Sequence, residues 1–309
     1  MFSTVTKGWK LAAKAFSVEG KSYCRKQQYK SCWHACMHPY FASKWFKKLY
    51  SPEYIHIAIH RPRLYLKPFR VYMSTQWDRQ QKVKVILDTY EFIGGKGDRF
   101  MEAVMSEKHF RVAAFRLKDE SEASIILGYD ERYRKEGELV FTLQCEKFGN
   151  AIAGASFSFE NTPAAGWVCR IGCIQGYKNK DINIAKALQN LMNGLRPKAL
   201  MVFAVQEFAG QMGIKIVYGA GQSIQAFRRK HAVYIPWFHK INFDYDKLWM
   251  ESGGSLTKDG WFLLPAIAQR KSMCELKPSK RAAHKRRYEM MDQISAEIHH
   301  SIQRLTVSN

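Results

Sequence analysis

The first hundred residues carry short apolar clusters at helical spacing, interleaved with cations. Val5, Trp9, Ala12, Ala13 and Phe16 recur at intervals of three and four, with Lys7, Lys10 and Lys14 on other faces. That spacing predicts an amphipathic basic helix. The run from Tyr23 to Tyr50 is rich in aromatics and cations, and Trp77, Val83, Ile86, Leu87 and Tyr90 predict a helix over 75–93, ended by Gly94 and Gly95. Between them Pro62 and Pro68 punctuate the chain, because a proline disfavours helix in the residue before it. The period changes near Phe110. Five β-rich runs, 111–117, 122–129, 138–145, 151–159 and 167–176, are separated by charged or glycine-containing turns and predict an antiparallel meander. Two helices follow, one through Ile184, Ala187, Leu188, Leu191 and Met192 and stopped at Gly194, the other through Leu200, Phe203, Ala204, Phe208 and Met212 and stopped at Gly213. A strand is predicted at 214–221, and a long basic helix runs from Ser279 to Leu305 after Pro278. The pattern as a whole is α+β, with a helical basic region over 1–109 and a mixed domain with a mainly antiparallel sheet over 110–309.

Composition narrows the class. The chain has 309 residues, 46% hydrophobic and 14% aromatic, which is enough to bury a core and excludes a disordered chain. Its longest apolar stretches, 199–205 and 261–268, fall short of the ~20 residues that cross a bilayer. Lysines interrupt the N-terminal segment, so no secretory signal is expected. Seven cysteines without repeating spacing point to a reducing compartment. The expected location is cytoplasmic, with peripheral contact to the inner membrane.

The net charge of +22 is concentrated at the two ends: residues 1–109 hold 20 basic and 8 acidic side chains, and residues 267–309 hold 9 and 4. Such a chain attracts polyanions. Lys7, Lys10 and Lys14 on the first helix, and Lys280, Arg281, Lys285, Arg286 and Arg287 on the last, are the candidate anion- or membrane-binding cations. Periodicity does not tell whether the first helix rests on a membrane or docks on the protein's own core. Cys32, His34, Cys36 and His38 crowd potential metal ligands into one segment. Alternate spacing on a helix does not converge four side chains on one ion, so no metal is expected.

Ile174-Gln175-Gly176, Asn193-Gly194-Leu195-Arg196-Pro197-Lys198, Asp244-Tyr245-Asp246 with Trp249, and Lys280-Arg281 through Lys285-Arg286-Arg287-Tyr288 resemble the VirK/YbjX family of Gram-negative bacteria. Weaker agreement reaches back to Pro62. The resemblance implies a role in the outer envelope: surface display of an outer-membrane virulence factor, resistance to cationic antimicrobial peptides, and compensation for altered lipid A. It implies no catalytic residue.

A second resemblance lies in the order of elements. A meander, the segment from Ile171, a helix and a strand follow one another much as in the acyl-CoA-binding half of N-acetyltransferase (GNAT) folds. That order implies an acyl donor, acyl-CoA or an acyl carrier thioester, held by Gln175, Gly176, Tyr177, Lys178, Lys180 and Asn183 ahead of a helix N-terminus. Positions 178–183 lack the glycines such loops use, and Asp181 reads equally as a helix N-cap. Glu207, Tyr218 and Cys173 are the candidates for proton transfer. Three classes stay open: a GNAT-like acyltransferase of the envelope, a non-enzymatic basic adaptor binding the inner membrane or a partner, and an RNA-binding factor.

Overall fold

The computed structural model describes residues 2–106, 110–176, 182–226 and 243–306. Backbone contacts divide the chain into two compact units: Met1–Tyr72 with Trp77–Val83, and Met73–Gln76 with Lys84–Asn309.

The first unit is helical. It contains α1 (Phe2–Ala15), α2 (Lys21–Met37), α3 (Pro39–Leu49), α4 (Ile55–His60) and a 3-10 stretch, Pro62–Phe69. Pro39 separates α2 from α3, holding His38 out of helix at φ −139° and serving as the first helical residue itself. The expected amphipathic helix forms and docks on its own unit, but its buried face is turned from the expected one. Leu11, Ala12, Ala15 and Phe16 are buried, whereas Trp9 is 36% exposed. The reason is the partner: α1 packs along α2, where Ser31 Oγ donates to Gly8 O at 2.9 Å. Trp45, Phe46, Leu64, Tyr65 and Leu66 complete the core, with Trp45 Nε1 donating to Tyr65 O at 2.9 Å.

The second unit is built on one eight-stranded sheet. Its strands are β1 (Phe110–Arg116), β2 (Glu122–Gly128), β3 (Leu139–Cys145), β4 (Asn150–Thr162), β5 (Gly166–Gly176), β6 (Ile216–Ala220), β7 (Ser255–Leu256) and β8 (Trp261–Leu264). The order is β1-β2-β3-β4-β5-β6-β8-β7, antiparallel throughout except for the parallel pair β5/β6. A parallel neighbour demands a crossover, supplied by α7 (Ile182–Leu191) and α8 (Pro197–Gln211). This is a mixed α+β fold, a mainly antiparallel sheet with flanking helices. The first five strands stand where the alternating pattern placed them; β7, β8 and the short α9 (Tyr245–Glu251) are additions to it.

Helix α8 lies on β3–β5, with Phe208 stacking edge-on against Phe141 and Phe157 at 5.1 and 6.1 Å between centroids. The last helix, α10 (Pro278–Thr306), packs on β1; Ser301 Oγ donates to Val112 O at 2.7 Å. The two helices ahead of the sheet, α5 (Arg79–Gly95) and α6 (Asp98–Met105), fall with it rather than with the N-terminal region from residue 84 onward. Phe92 of α5 meets Phe159 at 4.3 Å, which accounts for a division ahead of residue 109.

Candidate active-site cleft

Strands β5 and β6 pair only over Val168–Ile171 and Ile216–Gly219. Beyond that point β5 continues to Gly176, still paired with β4 through Gln175↔Gly154 and Gly176↔Ala153, while β6 ends at Ala220. The two strands part company, leaving one side of the end of β5 without a strand neighbour among the described residues. A bulge in β5 opposite Ser156/Phe157 marks the place. Gly172 sits in it, and a Cβ there would fall 1.8 Å from Glu136 O, so the turn ahead of β3 passes too close for any other residue.

The parting strands open into a cavity of about 500 Å³. Ile152, Ala153, Ala185 and Leu248 give it apolar wall; Lys186, Lys198 and Lys247 give it cations. Arg196 also lines it but is ion-paired with Glu251, and Asp244 caps α9, accepting from Lys247 N at 2.9 Å. The remaining lysines therefore set its sign.

Lys198 occupies the first turn of α8, its ammonium 3.1 Å from the centre of the Phe243 ring. Burial lowers its pKa from 10.5 to about 8, the Arg196 cation adding to the effect and Cys173 opposing it. Cys173 and Tyr245 belong to the same electrostatic neighbourhood. Burial pushes both well above their ordinary values, Glu136 reinforcing each shift, so the thiol and the phenol remain protonated.

The structure distributes the residues singled out from sequence unequally. Cys173 is buried in β5, and Gln175 Nε2 points back to its sulfur at 3.9 Å. Gly176 lines the cavity, and Asn183 is exposed in the first turn of α7. Tyr177, Lys178 and Lys180 lie outside the described residues. Glu207 is not brought to the cleft: it stands nine residues beyond Lys198, about 14 Å along α8, and accepts from Ser295 Oγ of α10 at 2.5 Å. Tyr218 is in the zipped stretch of β6, its ring 4.8 Å from the Arg170 guanidinium, which is itself ion-paired with Glu160.

Lys7, Lys10, Lys14, Lys280, Arg281, Lys285 and Arg286 are exposed. Arg287 is not presented as a surface cation, because its Nε and Nη2 donate to Asn193 O at 3.1 and 2.9 Å. Cys32 Sγ faces Val5 O, His34 stacks on Phe69 and His38 meets Arg79, so the ligand-rich segment spreads over three partners. Among the described residues no three metal-ligating side chains converge, and no helix is long and apolar enough to cross a membrane.

Sequence reasoning missed Lys198 and Tyr245 as site residues. Both lie in segments that carry the family resemblance, Asn193–Lys198 and Asp244–Asp246, but only the fold brings the two segments together at the end of β5.

Comparison with known proteins agrees on the family. A family model described as "Protein of unknown function (DUF535)" matches residues 20–300. The Escherichia coli K12 protein YbjX, described as uncharacterized, is 24% identical over 268 residues, covering 84% of this chain and 78% of its own length. Two Haemophilus influenzae Rd proteins are 29% and 27% identical over 41% and 53% of the chain, which spans less than half of their length, 42% and 48%. Among solved structures, two forms of a cAMP-binding acyltransferase from Mycobacterium smegmatis align with 72% and 76% of the chain at 10% identity and a TM-score of 0.33. The chain spans 60% and 64% of those proteins, less than two thirds of their length. With the family model matched over most of its length, and in agreement with the VirK/YbjX motifs, the chain belongs to the DUF535 family.

Proposed function

We propose that this protein is an acyltransferase of the cell envelope that takes an acyl thioester, acyl-CoA or acyl carrier protein, in the cleft where β5 parts from β6. The observation that carries this reading is the parting itself. A β5 edge without a strand neighbour among the described residues offers backbone groups to an extended amide-containing arm, and the apolar wall with Lys186 and Lys247 suits such an arm ending in phosphate. The acceptor is an amine or hydroxyl of an envelope component. In keeping with the VirK/YbjX resemblance, the consequence of its modification is surface display of an outer-membrane virulence factor and resistance to cationic antimicrobial peptides.

In the transfer the acceptor nitrogen or oxygen attacks the thioester carbonyl, the new bond forms and the acyl C–S bond breaks. Lys198 in its neutral form takes the acceptor's proton and delivers it to the departing thiolate. Its pKa of about 8 lies close to that of the leaving thiol, about 8.5, so the proton moves in both directions at little cost. Cys173 and Tyr245, held neutral, add no negative charge against the thiolate.

The test is native mass spectrometry of the whole chain with acetyl-CoA, long-chain acyl-CoA and acyl carrier protein, a single-stranded oligonucleotide serving as polyanion control. Selective donor binding is expected, and Gly176→Trp should abolish it. A Cβ at Gly176 would lie 3.8 Å from Ile152 O, an ordinary contact, so the substitution begins without a backbone clash at a residue that lines the cleft. Donor binding no stronger than that of the oligonucleotide would overturn the proposal. It would favour the second reading, a basic adaptor at the inner membrane, which the exposed cations of α1 and α10 support.

A further inference from the structure

Helix α2 is built inside out. Its buried positions are Gln27, Gln28, Ser31 and Ala35, satisfied in part by Ser31 on Gly8 O and by Arg70, which donates to Gln27 Oε1 at 2.6 Å. Its large apolar side chains face outward: Tyr29 is 66% exposed, Trp33 64% and Met37 53%. Spaced four apart, they form one stripe along the helix. Trp9 of α1 extends it, its ring meeting Tyr29 edge-on at 5.5 Å. Lys21, Arg25, Lys26 and Lys30 flank the stripe, and α2 contains no acidic residue. Residues 1–72 hold fourteen lysines and arginines against two acids, and both acids are already committed, Glu19 to Arg63 and Glu53 to Lys48.

A folded protein rarely leaves such a stripe on its surface without an occupant. We propose that the outer face of α2 is a docking surface for an anionic phospholipid bilayer, with Tyr29, Trp33 and Met37 entering the headgroup region and the flanking cations meeting lipid phosphates. Aromatic rings with a polar edge favour that depth, and each lysine or arginine near an anionic leaflet adds to the attraction. Self-pairing is opposed by the cations, because two copies would place like charges against each other. Lys30 already feels this crowding: burial, then Arg70 and Lys26, lower its pKa.

The test is co-sedimentation of the whole chain with vesicles of phosphatidylcholine alone and of equimolar phosphatidylcholine and phosphatidylglycerol. Binding to the anionic vesicles is expected to fall about fivefold for each cation removed, hence about 25-fold in Lys26→Gln/Lys30→Gln. Tyr29→Ser/Trp33→Ser should weaken it at least as much. Both variants alter exposed side chains, so far-UV circular dichroism and melting temperature should match the parent. Lys215→Gln/Lys258→Gln, exposed cations of the second unit, should stay within about twofold of the parent.

Either α2 variant binding like the parent would overturn the proposal. So would oligonucleotide binding that Tyr29→Ser/Trp33→Ser weakens more than vesicle binding, which would give the face to nucleic acid, or a dimer in sedimentation that the same variant dissolves. No acyl donor enters the assay, so its failure leaves the cleft reading standing.

Discussion

His34 sits half-buried on α2 with its ring stacked on Phe69 at 5.1 Å between centroids. Burial first, then the cations of Arg70, His38, Arg79 and Lys30, lower its pKa from 6.5 to about 4. Above pH 6.5 it is neutral whether the chain is folded or not. As the pH falls from about 6.5 to about 4 the unfolded chain takes up the proton first, so stability is lost through that window and levels off below it. The melting temperature of the helical unit should therefore drop across this range, and His34→Gln should flatten the drop. An unchanged pH slope in the variant would show that other groups govern acid sensitivity. Lys198 obeys the same physics in the cleft, where the proposed acyl transfer draws on its lowered pKa. Neither shift is visible in the order of residues, since both arise from desolvation by segments distant in the chain.

Between α7 and α8 the chain turns through Asn193 and Gly194, both left-handed at φ 53° and 81°. Glycine tolerates that conformation at no steric cost; asparagine does so less readily and needs support. Arg287 of α10 supplies it through the two bonds to Asn193 O, tying the last helix to the turn that delivers Lys198 to the cleft. Arg287→Gln removes both charged donors and should cost about 2 kcal/mol, lowering the melting temperature by about 5 °C for a unit of this size. A shift under about 1 °C would mean that the turn holds itself. Elements were legible from sequence to the extent that their own periodicity announced them. Strands β1–β5 alternate against a single core, and α8 has an apolar run between Pro197 and Gly213. The outward stripe of α2 was not legible, because it is the polar side of that helix that finds partners, and those partners sit on α1 and near Arg70.

At the scale of the whole molecule the charge of +22 governs encounters with any polyanion. Association with the control oligonucleotide should fall about 300-fold or more between about 50 and 200 mM salt if six or more phosphates are engaged. Donor binding in the cleft, which engages few charges and an apolar wall, should fall far less. Equal salt dependence for the two would indicate that the donor meets only surface cations.

The sequence by itself determined the α+β class, the meander, the family motifs and the sign of the charge, because each depends on residues close together in the chain or on a simple sum. Only the tertiary structure decided which of these residues act together. The parting of β5 from β6 depends on a parallel pairing bridged by some forty residues of crossover. The proton on Lys198 depends on its burial and on the Phe243 ring that reaches it from the segment ahead of α9. The face that α2 presents outward depends on what α1 leaves uncovered. Burial and long-range pairing set all three, and neither can be read from local periodicity.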